Sequence, residues 1–166
     1  MNPLQKIPEG CTQLISLTEL FLNDCLLEYI PANFGRLSKL KILELRDNSL
    51  NSLPKSMERL VNLMRIDLSQ NQFTEVTNHN IMRLYITLIL LQVPEILNTM
   101  FELEELLLDG NKLKILPSFL GNFIKLKHLD ASFNQLELVC QEVGKCSNLV
   151  DLTLSSNDLK VREIFK

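Results

Sequence analysis

One asparagine-containing motif recurs along this chain at an almost constant spacing. In the segment LKILELRDNSLNSLP, from Leu40 to Pro54, three leucines precede an asparagine. Successive recurrences lie 23, 23, 23, 40, 23 and 23 residues apart. The recurring position is occupied by Asn2, Cys25, Asn48, Asn71, Asn111, Asn134 and Asn157. Such periodicity predicts a stack of similar units, each too small to bury its own apolar side chains.

The spacing within a unit predicts a short strand followed by a tight turn. Leucines two residues apart, such as Leu43 and Leu45, lie on the same side of a strand. Neighbouring units are therefore expected to stack with parallel strands and a continuous leucine core, which accounts for the 36 leucines of the chain. The asparagines are expected to point inward and to satisfy buried backbone groups. Cys25, which replaces one asparagine, is interpreted as structural and not as a nucleophile.

The pattern LxxLxLxxNxLxxLP resembles the leucine-rich repeat. That resemblance implies an α/β fold, a curved leucine-rich-repeat solenoid with short parallel strands on its concave face. Short helical or extended turns would form the convex face. Residues 1–166 are interpreted as a single array of about six 23-residue repeats that is truncated at both ends.

One interval is 17 residues longer than the others, and the extra segment spans 76–92. A first interpretation is a loop inserted on the convex side, where repeat arrays usually accept insertions. A second is a retained in-frame intron, because valine codons begin with GT and a glutamine codon can be CAG. A third makes Ile81 to Leu91 a partner-binding or interfacial helix, although a short apolar run with one arginine supports this weakly.

Composition excludes several classes of function. A net charge of −3 and a pI of about 5.4 argue against a nucleic-acid binder, which needs a basic surface. No apolar run approaches the length of a transmembrane helix, and no secretory signal is visible. The four cysteines show no metal-ligand spacing, so we interpret them as reduced thiols. No cofactor or metal site is predicted.

One strand carries the residue types of a catalytic triad. His128, Asp130 and Ser132 occupy alternate positions there and would point the same way. A catalytic triad also needs a buried orienting carboxylate, an oxyanion hole and a pocket, which a flat solenoid face does not provide. The chain is therefore not predicted to be an enzyme.

Several stretches are similar to the amino-terminal repeats of the LAP family, which contains erbin, densin and scribble. They are Pro8 to Leu60, within it PANFGRL at Pro31 to Leu37, NQFTEV at Asn71 to Val76, and DLTLSSNDL at Asp151 to Leu159. The resemblance implies a cytoplasmic scaffold at cell junctions or the basolateral cortex that acts in polarity and receptor positioning. Any membrane association would be peripheral. The PDZ domains usual in that family are not present in this chain.

Residues between the core leucines of each strand are expected to form a protein-binding concave face. These residues are Glu19, Phe21, Asn23, Ile42, Glu44, Arg46, Arg65, Asp67, Ser69, Glu105, Leu107, Asp109, His128, Asp130, Ser132, Asp151, Thr153 and Ser155. With the flanking Asp24 and Asp47, this face carries nine carboxylates and two arginines. Such a surface favours a basic partner segment.

Within this face, Phe21, Ile42 and Leu107 are the expected contact anchors. Charge reversal of Glu44, Asp67 and Asp130 is expected to weaken binding. Two alternatives to the LAP scaffold remain open. One is an intracellular leucine-rich-repeat regulator of small-GTPase signalling, and the other is a truncated, non-functional gene product.

Overall fold

The computed structural model describes residues 2–74 and 95–160. Within these ranges, short strands alternate with 3₁₀ helices. The strands are β1 (Glu19–Phe21), β2 (Ile42–Glu44), β3 (Arg65–Asp67), β4 (Glu105–Leu107), β5 (Ile115–Leu116), β6 (His128–Asp130), β7 (Leu138–Val139) and β8 (Asp151–Thr153). The 3₁₀ helices are η1 (Glu9–Gln13), η2 (Phe34–Arg36), η3 (Lys55–Arg59), η4 (Glu95–Thr99), η5 (Ser118–Asn122) and η6 (Gln141–Lys145). The insertion predicted at 76–92 lies outside the described residues.

Six of these strands form one parallel sheet in the order β1–β2–β3–β4–β6–β8. We number the repeats that contain them units 1 to 6, in that order. Strand β4 pairs with β3 in the same register as the other neighbours, with Arg65 opposite Glu105. The 17 extra residues between these two strands therefore leave the register of the sheet unchanged. A second, two-stranded parallel sheet joins β5 and β7.

The repeating leucines form the core, as their spacing predicts. In unit 2, Leu43 and Leu45 are fully buried while Glu44 between them is half-buried. Equivalent positions in units 3 to 5 are buried as well, and they hold Ile66, Leu68, Leu106, Leu108, Leu129 and Ala131. In unit 6, Leu152 is more exposed because its strand has a described neighbour on one side only.

The asparagine column forms the predicted ladder of hydrogen bonds. The Asn48 side chain donates to the carbonyls of Leu22 and Leu45, each at 2.8 Å, and accepts the amide of Leu27 at 2.9 Å. Corresponding bonds recur at Asn71, Asn111, Asn134 and Asn157. Each asparagine thus joins its own strand to the unit before it, and the buried backbone groups between them are satisfied.

Cys25 occupies the asparagine position of unit 1 and is buried. Its Sγ lies 3.3 Å from the carbonyl oxygen of Asn23, and its amide donates to the Asn48 side chain at 3.2 Å. This packing agrees with a structural role for the thiol.

Short 3₁₀ helices build the side of each unit opposite its strand, so the helical alternative for the convex face is confirmed. Pro8, Pro54 and Pro117 immediately precede η1, η3 and η5, because a ring-fixed φ suits the residue before a helical turn. Cys140 replaces the proline before η6 and keeps an extended backbone. Among the described residues, no helix is long and apolar enough to cross a bilayer.

Candidate protein-binding face

The eighteen concave positions differ in how far they reach solvent. Those in the outer units 1 and 6 are exposed: Glu19, Phe21, Asn23, Asp151, Thr153 and Ser155. Most positions in units 2 to 5 are half-buried, because strands flank them on both sides. Of the expected apolar anchors, Phe21 is 55% exposed, whereas Ile42 and Leu107 are half-buried.

Three residues that were expected to be accessible on this face are buried, so that expectation was wrong. Asp67, Ser69 and Ser132 are 5%, 0% and 4% exposed. The amides of Ser69 and Ser132 bind the carboxylates of Asp67 and Asp130, each at 2.9 Å. These local bonds turn the two carboxylates toward the backbone that follows each strand.

The two arginines of this face lie in units 2 and 3, and each sits between two carboxylates. Arg65 pairs with Glu44 at 3.4 Å and also contacts Glu105. Each of these three side chains is between 21% and 35% exposed. The carboxylates of units 2 and 4 are thus linked across unit 3.

Arg46 forms the second of these pairings. Its Nε lies 3.3 Å from Asp47, and its Nη1 lies 3.7 Å from Asp109. Gln70 also donates to Asp109, at 3.0 Å. Because Arg46 belongs to unit 2 and Asp109 to unit 4, this pair passes over Ser69 of unit 3.

The carboxy-terminal half of the face has a different charge balance. In units 4 to 6, His128 is the one basic residue among the concave positions. Its Nδ1 lies 2.7 Å from a carboxylate oxygen of Asp151 on the neighbouring strand. Asp130 uses one oxygen for the Ser132 amide. Because the unit 4 carboxylates Glu105 and Asp109 are paired with Arg65 and Arg46, the acid without an arginine partner in this half of the described face lies on β6 and β8.

The structure does not bring His128, Asp130 and Ser132 together as a catalytic triad. His128 bonds to Asp151, and Asp130 bonds to the backbone of Ser132 and not to its hydroxyl. In the described parts of the chain, no group of three or more His, Cys, Asp or Glu residues is placed to hold a metal ion.

The cysteines of the described array are all free thiols. Burial raises the pKa of Cys140, and the nearby Glu142 carboxylate raises it further. Burial also raises the pKa of Cys146, whose Sγ lies 3.1 Å from the Leu120 carbonyl oxygen. A raised pKa favours the neutral thiol, so neither side chain has the properties of an activated nucleophile.

Phe133 is an exposed residue that the repeat pattern did not single out. It lies next to Ser132, has φ of 51° and is 63% exposed. In every unit, the residue directly before the recurring asparagine or Cys25 has a left-handed backbone conformation. In the other units this residue is Asp24, Asp47, Gln70, Gly110 or Ser156. An aromatic side chain is unusual in this conformation. Its position directly before Asn134 is the sequence signal that could have identified it.

A second apolar feature runs along the edge of the array. Val61, Phe101 and Ile124 each lie ten residues before a ladder asparagine, and each is between 49% and 58% exposed. They come from the consecutive units 3, 4 and 5, so they lie side by side. We call these three residues the edge stripe.

Comparison with known proteins identifies the type of fold. Two leucine-rich-repeat family profiles match the chain, over residues 15–73 and 102–123. No curated protein matches it by sequence. A Leptospira interrogans leucine-rich-repeat protein of known structure is similar, with 31% identity and a TM-score of 0.82. That match covers 96% of this chain and 36% of the other.

Two plant receptors of known structure are also similar. The peptide hormone receptor RGFR1, in complex with RGF2, is 27% identical, with a TM-score of 0.74. That match covers 93% of this chain and 23% of the receptor. The ectodomain of the Arabidopsis thaliana receptor kinase GASSHO1/SCHENGEN3, in complex with CASPARIAN STRIP INTEGRITY FACTOR 2, is 26% identical. Its TM-score is 0.66, over 93% of this chain and 20% of the receptor.

This chain therefore spans between 20% and 36% of the length of these three relatives. Neither matching profile describes a catalytic family. Domains of this kind generally mediate protein–protein interaction. The repeat spacing, the in-register parallel strands, the asparagine ladder and these likenesses agree on one fold. The chain is a leucine-rich-repeat solenoid.

Proposed function

We propose that this chain is a non-catalytic module that binds a basic segment of a protein partner on its concave face. The observation that carries the proposal is the excess of acid on that face, where nine carboxylates accompany two arginines. The whole chain has a net charge of only −3. Acid is therefore concentrated where the strands present their side chains, and such a surface attracts and orients a cationic partner.

The arrangement of the arginines directs the partner toward one half of the face. Arg46 and Arg65 are held by carboxylates of their own chain in units 2 to 4. Asp130 and Asp151 lie in units 5 and 6, where His128 is the one basic residue among the concave positions. A basic segment is expected to dock over β4, β6 and β8.

Two exposed aromatic side chains provide apolar contacts at the margins of this surface. Phe21 is 55% exposed at the amino-terminal end, and Phe133 is 63% exposed beside β6. Aromatic residues dominate the binding energy of many protein interfaces. We infer that Phe133 is the main apolar anchor, because it adjoins the acidic half.

The likeness to ligand-bound receptors supports the same proposal. RGFR1 and GASSHO1/SCHENGEN3 are each seen in complex with a ligand. A solenoid of this type is therefore a suitable support for a peptide or protein ligand.

We further propose that the chain is part of a LAP-type scaffold in the cytoplasm, at cell junctions or the basolateral cortex, that positions membrane receptors and signalling partners. The support for this is the resemblance of its repeats to that family. Within PANFGRL, Phe34 and Leu37 are fully buried, so part of that resemblance lies in packing and not in a binding surface. Recovery of the full-length transcript tests the assignment. PDZ-coding sequence downstream is expected, whereas a gene encoding repeats alone would favour the small-GTPase regulator.

Binding itself is tested with a synthetic lysine- and arginine-rich peptide, by fluorescence anisotropy at low and high salt. Asp130→Asn and Asp151→Asn are each expected to weaken binding by up to about fivefold. Asn at position 130 keeps an oxygen for the Ser132 amide, so the fold is preserved. Binding is also expected to weaken with salt.

The matched control is Glu28→Gln, which removes one exposed carboxylate outside the concave face. It changes the net charge by the same amount and is expected to leave affinity almost unchanged. Equal losses in the control and in the two concave variants would show that only net charge matters. The concave-face proposal would then be abandoned.

A further inference from the structure

The Ser69 hydroxyl is buried without a hydrogen-bond partner. The residue is 0% exposed, and its Oγ is the one buried side-chain nitrogen or oxygen in the described ranges that lacks a partner. Leaving such a group unpaired costs about 1–3 kcal/mol. Buried polar groups are almost always satisfied, so an orphan on a candidate binding face indicates a missing partner.

The register of the sheet places three acidic residues near Ser69. Asp67 lies opposite Leu107 in the register of β3 and β4, so Ser69 lies beside Asp109. One oxygen of Asp67 accepts the Ser69 amide, and its other oxygen has no hydrogen bond within the described ranges. Asp130 lies opposite Leu107 on the other side. We call Asp67, Ser69, Leu107, Asp109 and Asp130 the central cradle.

A guanidinium of the chain itself already reaches across this cradle. Arg46 extends from unit 2 to Asp109 of unit 4, over Ser69, with a separation of 3.7 Å. That distance exceeds the roughly 2.7–2.9 Å of a strong charge-assisted hydrogen bond. The Arg46 side chain is also 42% exposed, and partly exposed ion pairs contribute little. Arg46 can therefore be displaced from Asp109 at small cost.

We propose that the central cradle binds one arginine side chain of the partner's basic segment, with its guanidinium in the place of Arg46 at Asp109. This inference rests on the proposed function of the concave face. The incoming group donates to Asp109, to the Ser69 hydroxyl and to the unused oxygen of Asp67. Its aliphatic stem packs on the half-buried Leu107, and Asp130 adds a third carboxylate.

The geometry of the acceptors favours arginine over lysine. Ser69 and Asp109 each lie two residues after the end of neighbouring strands, which are about 4.8 Å apart, and Asp67 lies two residues before Ser69. A planar guanidinium presents five donors in a fixed fork and can reach separate acceptors at once. A lysine ammonium concentrates its three donors at one point. The cradle thus discriminates between two side chains of equal charge.

The experiment compares two Gly/Ser-based synthetic peptides that differ only in whether every basic residue is arginine or lysine. The wild-type chain is expected to bind the arginine peptide about tenfold more tightly. Ser69→Ala is expected to remove most of that preference and to leave the affinity for the lysine peptide unchanged. Because the substitution deletes an unpaired buried hydroxyl, it is expected to maintain or raise the free energy of unfolding, which urea denaturation checks.

Two arginine variants separate competition within the cradle from general electrostatics. Arg46→Ala and Arg65→Ala each remove one positive charge from the concave face. Both are expected to strengthen binding of either peptide, but only Arg46→Ala is expected to increase the preference for arginine. Equal effects of the two variants on that preference would contradict displacement of Arg46.

The outcomes distinguish this inference from the proposed function. Equal binding of the two peptides, or an arginine preference that survives in Ser69→Ala, would overturn the cradle while leaving an acidic docking face in place. Failure of both peptides to bind at low salt would overturn both proposals.

Discussion

The side-chain amide of Asn111 donates to the carbonyl of Leu68 at 3.0 Å, across 43 residues of sequence. The corresponding bonds from Asn71 to Leu45 and from Asn134 to Leu108 span 26 residues. The difference is the 17 residues of the interrupted interval. The asparagine ladder is therefore continuous between units 3 and 4. The contact between these two units depends on the repeat motif and not on the length of the segment that connects them.

Removal of one ladder side chain is expected to destabilise the whole array. Asn111→Ala deletes the donor to Leu68 and Leu108 and the acceptor for the Phe73 amide, all in buried surroundings. We expect the free energy of unfolding to fall by about 2–4 kcal/mol. Urea denaturation followed by circular dichroism measures the change.

Asn62→Ala is the control for this substitution, because Asn62 makes an exposed bond to the Ser38 carbonyl. Its loss is expected to cost less than about 0.5 kcal/mol. Similar losses in the two variants would show that the buried ladder has no special role.

Deletion of 76–92 is expected to leave a folded array. Strands β3 and β4 pair in the same register as β2 and β3, which are separated by the normal interval, and removal of 76–92 restores that 23-residue interval. We expect one cooperative urea transition, with a free energy of unfolding within about 1 kcal/mol of the intact chain. Loss of that transition would show that the segment is required for folding.

The origin of the same segment is tested separately, by sequencing spliced transcripts across it. Uniform inclusion would eliminate the retained-intron interpretation and leave a true insertion.

Close packing between η2 and η3 leaves no room for a side chain at Gly35. A Cβ at this position would collide with the carbonyl oxygen of Ser56. We expect Gly35→Ala to lower the free energy of unfolding by about 1–3 kcal/mol through overpacking. Gly144 occupies the equivalent position of unit 6, where no atom of the described residues lies within 4 Å of an added Cβ. Gly144→Ala is therefore the matched control, and an equal loss in both variants would contradict the steric explanation.

The raised pKa values of Cys140 and Cys146 predict slow alkylation of the folded chain. Near neutral pH both groups remain protonated, and thiolate appears only as the pH rises above the ordinary thiol range. Mass spectrometry after iodoacetamide treatment measures the rate at each site, with the urea-unfolded chain as reference. Modification of native Cys146 at the unfolded rate near neutral pH would contradict its burial.

The same shifts predict a stability change at alkaline pH. The folded chain retains thiol protons that the unfolded chain releases once the pH exceeds the ordinary thiol pKa. This contribution to stability is therefore complete below that pKa and is lost as the pH rises through the higher folded-state pKa.

Most of the architecture could be predicted from the sequence because each unit repeats the same spacing of leucines and asparagine. The spacing of Leu43, Leu45 and Asn48 determined the strand, the core and the turn. The constant interval determined the parallel register. After the 40-residue interval the repeat motif resumes at Asn111 with its normal spacing. The order of the strands in the main sheet therefore follows the order of the motifs in the sequence.

The details of the binding face depended on contacts between units, which no single repeat encodes. Asp67 and Ser69 occupy outward positions of the pattern, yet both are buried, and Arg46 of unit 2 pairs with Asp109 of unit 4 across unit 3. Reversing the charge of the buried Asp67 would therefore perturb the fold as well as binding, and Asp130 is the better test. Phe133 lies outside the predicted face because its exposure follows from a left-handed backbone at a position where the pattern specifies no residue type.

The most direct measurement maps a bound arginine-rich peptide on the ¹⁵N-labelled chain by NMR. We predict that the changes in amide chemical shift concentrate in β4, β6 and β8, include Ser69 and extend to Phe133, and that they disappear at high salt. Shifts centred on Val61, Phe101 and Ile124 of the edge stripe, with the concave strands unaffected, would contradict the assignment of binding to the acidic face.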